Sequence, residues 1–125
     1  MATSLKVSGF SSGALAYKIV YLNNDTPVAT IQENVTGTSG HLYSVNIHNS
    51  AGSAVHVKLS DGAAPELGTT APQWIFKCHA QERLKIDIPS GVPFSTALNL
   101  WTTLLPDSDD TTVPAGTVTV TLVCS

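Results

Sequence analysis

The chain has 125 residues, of which six are basic and nine acidic, so that 12% of its side chains are charged against roughly 25% in an ordinary soluble protein. At this length one domain can bury a core without help from metal or disulfide. A net charge of −3 with scattered cations argues against a direct nucleic-acid partner, which needs clustered Lys and Arg, and no apolar run is long enough for a membrane partner.

Residues 1–16 are rich in Ser, Gly and Ala and read as an N-terminal arm before a domain at 17–125. Phe10, Leu15 and Tyr17 are its expected anchors on a neighbouring chain. Residues 17–23 predict a first strand and 28–35 a second, joined as a hairpin through Asn24-Asp25-Thr26-Pro27, which has turn chemistry. Residues 41–49 have a clear period of two, with Tyr43, Val45 and Ile47 on one side and Ser44, Asn46 and His48 on the other. Val55, Val57 and Leu59 continue the apolar face in the next strand, opposed to His56 and Lys58, after a hairpin loop at 50–54.

Between 61 and 72 the alternation stops and Gly62, Pro65, Gly68 and Pro72 accumulate, which predicts a crossover from one sheet to another. Trp74, Phe76 and Cys78 then alternate with Ile75, Lys77 and His79, and Leu84, Ile86 and Ile88 with Lys85 and Asp87. The aromatic pair Trp74 and Phe76 is the expected centre of the core. The stretch Pro89-Ser90-Gly91-Val92-Pro93 predicts a break, Phe94 an end plug, 97–105 a strand of ambiguous facing that holds Trp101, and 117–124 a last strand with Val118, Val120, Leu122 and Cys124 inward. The sum is an all-β chain: a single antiparallel β-sandwich of about eight strands, jelly-roll or immunoglobulin-like, with an N-terminal arm.

Little in the chain carries chemistry, and no catalytic, cofactor-binding or metal residue is assigned. His48 and His56 face each other if 41–49 pairs with 55–59, but neither Asn46 nor Lys58 is a third ligand, so they read as a solvated or interface pair; His41 and His79 have no evident partners. Asp107-Ser108-Asp109-Asp110 lacks the Gly and distal Glu of a calcium loop and reads as a solvated acidic turn. There is no G-x-S-x-G turn and no phosphate loop around Gly37 or Gly40, hence no enzyme is expected. Cys78 and Cys124 read as two reduced core residues, and the triplets at Asn24 and Asn34 as chance glycosylation matches.

The run Val55-His56-Val57-Lys58-Leu59-Ser60-Asp61, followed by Ala64-Pro65-Glu66-Leu67-Gly68-Thr69-Thr70-Ala71-Pro72, resembles small structural proteins of tailed bacteriophages, whose pattern is a V-K-L-Y strand and a P-x-x-G-T-x-x-P crossover. Pro89-Ser90-Gly91-Val92-Pro93-Phe94-Ser95-Thr96-Ala97-Leu98 is similar to their P-x-G-x-x-F-x-x-G-L segment, and the likeness runs from Val45 to Val123. Ala97 departs from a Gly of that pattern and Ser60 from an aromatic. The resemblance implies a capsid decoration or cement protein on the capsid exterior of a virion, made in the host cytoplasm. Its partners would be the major capsid protein and itself, as a homotrimer. Two other classes fit the residues: a carbohydrate- or receptor-binding module that stacks sugars on Trp101 or Tyr43, and a tail or connector component of the virion.

Overall fold

The computed structural model describes residues 3–9, 18–24, 31, 36, 39–112, 114 and 116–125, the first two stretches by backbone alone. All of its regular elements are strands: β1 (Thr3–Gly9), β2 (Lys18–Asn24), β3 (Gly40–Asn49), β4 (Val55–Asp61), β5 (Trp74–Cys78), β6 (Glu82–Phe94), β7 (Leu98–Thr103) and β8 (Val118–Cys124). Those with described side chains form two three-stranded antiparallel sheets, β8-β3-β6 and β5-β4-β7, and β2 and β1 extend the first beyond β8. The protein is all-β and sandwich-like, but its strand set differs from the expected one. The strand expected at 28–35 lies outside the described residues apart from Ile31, which is not in a strand.

Residues 1–16 are not simply an arm, because Thr3–Gly9 pairs antiparallel with Lys18–Asn24, from Thr3↔Asn24 to Gly9↔Lys18. Leu5 and Val7 between Ser4, Lys6 and Ser8 form a short period of two that the small residues obscure. Phe10, Leu15 and Tyr17 lie outside the described residues.

The core sits between the sheets. Val118, Val120, Leu122 and Cys124 face it from β8, Leu42, Val45 and Ile47 from β3, Val55, Val57 and Leu59 from β4, and Leu98 and Leu100 from β7, closed at its ends by Cys78 and Phe94. Each buried Val or Leu contributes about 1.5–3 kcal/mol relative to exposure. Trp74 and Phe76 are only partly buried against this cluster. They belong to β5, the outer strand of the smaller sheet, so they flank the core instead of forming its centre.

Tyr43 does not share a face with Val45. Leu42 pairs with Cys124 and Ser44 with Val123, so one extra residue sits on β3 at Tyr43. Such a bulge turns Leu42 inward along with Val45, and Tyr43 is left half-buried, stacked on His41 with ring centroids 6.1 Å apart.

The crossings also differ from expectation. β3 and β4 lie in different sheets, whereas β4 and β5 are paired neighbours, so the short loop at 50–54 is the crossover and the long one at 62–73 joins strands of one sheet. Asn49, with no exposed surface, holds the short crossing: its Nδ2 donates to the carbonyls of Ser53 at 2.8 Å, His79 at 3.1 Å and Cys78 at 3.2 Å, and its Oδ1 accepts from Ala51 N at 2.9 Å.

Pro89 and Pro93 do not end β6. The strand runs on to Phe94 because β6 is the outermost strand of its sheet, where a residue without N–H is tolerated. Between Asp87↔Ser44 and Val92↔Leu42 the chain bulges, and Gly91 there has φ +74.

Candidate functional site

In the smaller sheet, β4 and β7 are buried on both faces. His56, Lys58 and Ser60 of β4 and Asn99, Trp101 and Thr103 of β7 point away from the core, yet all are buried. The register sets them side by side as His56↔Thr103, Lys58↔Trp101 and Ser60↔Asn99. The chain after β7 lies over this face: His56 Nδ1 meets Leu104 O at 3.0 Å and Lys58 Nζ donates to Asp107 O at 2.5 Å. Burial lowers the Lys58 pKa, against the attraction of Asp110, Asp107 and Asp109.

These placements correct two sequence readings. Trp101, 1% exposed, cannot stack on a sugar. His48 and His56 are in different sheets, so they do not face one another across a strand pair. Asp110 has a structural job in the acidic loop: Oδ2 accepts from Leu105 N at 3.0 Å and Thr112 Oγ1 at 2.5 Å. Burial raises its pKa, but these donors and nearby Lys58 outweigh that and hold it below the usual carboxylate range. Among the described residues no group of three His, Cys, Asp or Glu is placed to hold a metal ion.

Cys78 and Cys124 are both buried, and no disulfide joins them. Burial pushes the Cys78 thiol up, and its Sγ donates to Glu82 O at 3.3 Å, which makes it an inert core group.

The larger sheet is different, because on β8, β3 and β6 its outward side chains are half-buried or exposed. Two rows of residues cross it by register: Thr121, Asn46 and Lys85 in one, and Thr119, His48 and Arg83 in the other. In β2 the residues paired with Thr121 and Thr119 are Tyr21 and Asn23, and in β1 Lys6 and Ser4 extend the rows. Facing residues on neighbouring strands have Cβ atoms about 4.5–5.5 Å apart, so on β8, β3 and β6 the rows form a continuous polar surface. Asn46, His48, Arg83, Thr119 and Thr121 line a depression of about 270 Å³ within it.

This depression gathers residues that are far apart in the chain and that sequence reading did not connect. In the sequence Arg83 is one of the scattered cations, and Thr119 and Thr121 alternate with the inward residues of the last strand. Only the pairing of β3 with both β6 and β8 brings them together, and such pairing has no local signal. Comparison of the chain with protein-family models, curated proteins and solved structures finds no match.

Proposed function

We propose that this chain is a non-catalytic structural protein of a bacteriophage virion that binds the outside of the assembled capsid and stabilises it, as a decoration or cement protein. The major capsid protein is the partner, and the working unit is a homo-oligomer, a trimer in this reading. A ligand that binds only the assembled shell stabilises it by mass action, and a rigid all-β body suits that task.

The observation that carries this reading is the outer side of the smaller sheet. Ile75, 42% exposed, and Leu105, 46% exposed, are the large apolar side chains left in solvent among the described residues. Ile75 is paired with Lys58 in the register, and Leu105 belongs to the loop that covers Lys58, so both stand on one side of the molecule. Exposed apolar side chains of this kind serve as anchors at protein interfaces. The phage-like strand and crossover pattern between Val45 and Val123 supports the same reading.

Strand order favours the jelly-roll form of the sandwich. Of the five connections from β3 to β8, all but β4 to β5 pass between sheets. This alternation is that of a jelly roll, whereas an immunoglobulin-like sandwich keeps more consecutive strands within one sheet.

The test is co-sedimentation of purified protein with capsids encoded by the same genome, followed by electron microscopy. Wild-type protein is expected in the pellet and as density outside the shell, and Ile75→Glu with Leu105→Glu in the supernatant. Failure of wild-type protein to bind shells overturns the reading. A few copies per particle at one vertex assigns it instead to the tail or connector.

A further inference from the structure

We infer that the depression on the outward face of the larger sheet is a binding site for an acidic sugar unit, one ring carrying a carboxylate. The site lies across the sandwich from Ile75 and Leu105, so it remains accessible whichever companion covers the smaller sheet, and the inference does not rest on the capsid assignment.

Charge selects the acid. Although the chain is net negative, Arg83 and Lys85 share this part of the sheet with one carboxylate among the described residues, Asp87, which already lies 3.9 Å from Lys85 Nζ. The Arg83 guanidinium has no hydrogen bond or ion pair among the described residues and borders the depression. A guanidinium presents paired donors that match the two oxygens of a carboxylate, a geometry that an ammonium does not offer.

The other lining groups select the sugar. Asn46 supplies an amide that both donates and accepts, Thr119 and Thr121 hydroxyls, and His48 a ring with one donor and one acceptor when neutral. Every described side chain that lines the depression is polar, which disfavours an apolar ligand. A volume of about 270 Å³ falls just below the roughly 300–1,000 Å³ of pockets for drug-sized ligands, which suits one ring. The Arg83 guanidinium takes the carboxylate at the β6 margin, and Asn46, His48 and the two threonines take ring hydroxyls along β3 and β8.

The experiment is an amide NMR titration of the full chain with methyl glucuronide, methyl glucoside and acetate in parallel. Saturable shifts are expected at Asn46, His48, Arg83, Thr119 and Thr121 with the glucuronide, with the neutral glycoside and acetate each binding roughly tenfold more weakly, equivalent to about 1.4 kcal/mol. Arg83→Gln, at an exposed position, removes the preference for the acid over the neutral sugar. Thr121→Val weakens both glycosides and leaves acetate unchanged, and each variant is checked for a native spectrum. The site is overturned by no saturable shift, by equal binding of glucuronide and glucoside, by acetate binding as tightly as glucuronide, or by Arg83→Gln retaining the preference.

Discussion

The ammonium of Lys58 donates to the backbone carbonyl of Asp107 at 2.5 Å, joining residues 49 positions apart. It is the tie between the middle strand of the smaller sheet and the acidic loop that covers it.

Lys58 has no exposed surface, so its charge is held at a cost. Lys58→Met keeps the volume and removes the charge, and its stability is expected within about 1 kcal/mol of wild type or above it; Lys58→Ala leaves a void and loses about 2–4 kcal/mol. Because the folded pKa lies below 10.5, the unfolded chain binds the proton more tightly. This group's contribution therefore makes the protein more stable as pH rises from the folded pKa towards 10.5. Urea unfolding in alkaline buffers approaching pH 10.5 should show that rise in wild type relative to Lys58→Met.

Asp61 gathers the turn between β6 and β7. Its carboxylate accepts from Ser95 N at 2.7 Å, Thr96 N at 2.9 Å, Ser95 Oγ at 3.1 Å and Ala97 N at 3.3 Å. Burial raises its pKa, but these donors prevail and hold it below 3.8. The stabilisation is full above the unfolded value and is lost as pH falls through the folded one. Asp61→Asn should cost about 1–3 kcal/mol at neutral pH, and the gap to wild type in thermal unfolding should close in strong acid.

Asn49 tests the crossover at 50–54. Its amide donates to three carbonyls, and a carboxylate there would set an oxygen against those three acceptors, with Ala51 N left as a donor to the other oxygen. Asn49→Asp is expected to lose about 3 kcal/mol or more, exceeding Asn49→Ala, because it buries a charge against carbonyl oxygens with no counter-charge. Equal unfolding midpoints for the two variants would refute this account.

Two glycines give opposite expectations. At Gly91, with φ +74, an added Cβ would lie 2.8 Å from Tyr43 Cε1 and 2.9 Å from His41 Cβ, so Gly91→Ala should cost about 1–3 kcal/mol. At Gly52 an added Cβ meets nothing within 4 Å, and Gly52→Ala should leave stability unchanged or raise it by about 0.4–1 kcal/mol. Differential scanning calorimetry of the pair separates strain from entropy.

Local pattern carried the inward faces of β8 and β4 and the alternation of β5, because a period of two is written residue by residue. Sheet membership was not legible. The five-residue link at 50–54 looked like a hairpin, yet its flanking strands part company, and Asn49 secures that separation through carbonyls 29 and 30 residues away. Lys58 and Trp101 misled for a related reason: their polar and aromatic character suggested solvent or a ligand face, whereas the loop after β7 folds over the sheet. The polar depression was invisible for lack of any sequence neighbourhood, since Asn46, Arg83 and Thr121 meet only once three strands align. Fold class came from periodicity, and the site came from topology.

The prolines of β6 bear on life at high density. A free strand edge can template the addition of another chain, and β6 ends its sheet. Pro89 and Pro93 take two N–H groups out of that strand, and the bulge around Gly91 bends its outline. Copies crowded side by side are thereby discouraged from zipping into fibrils.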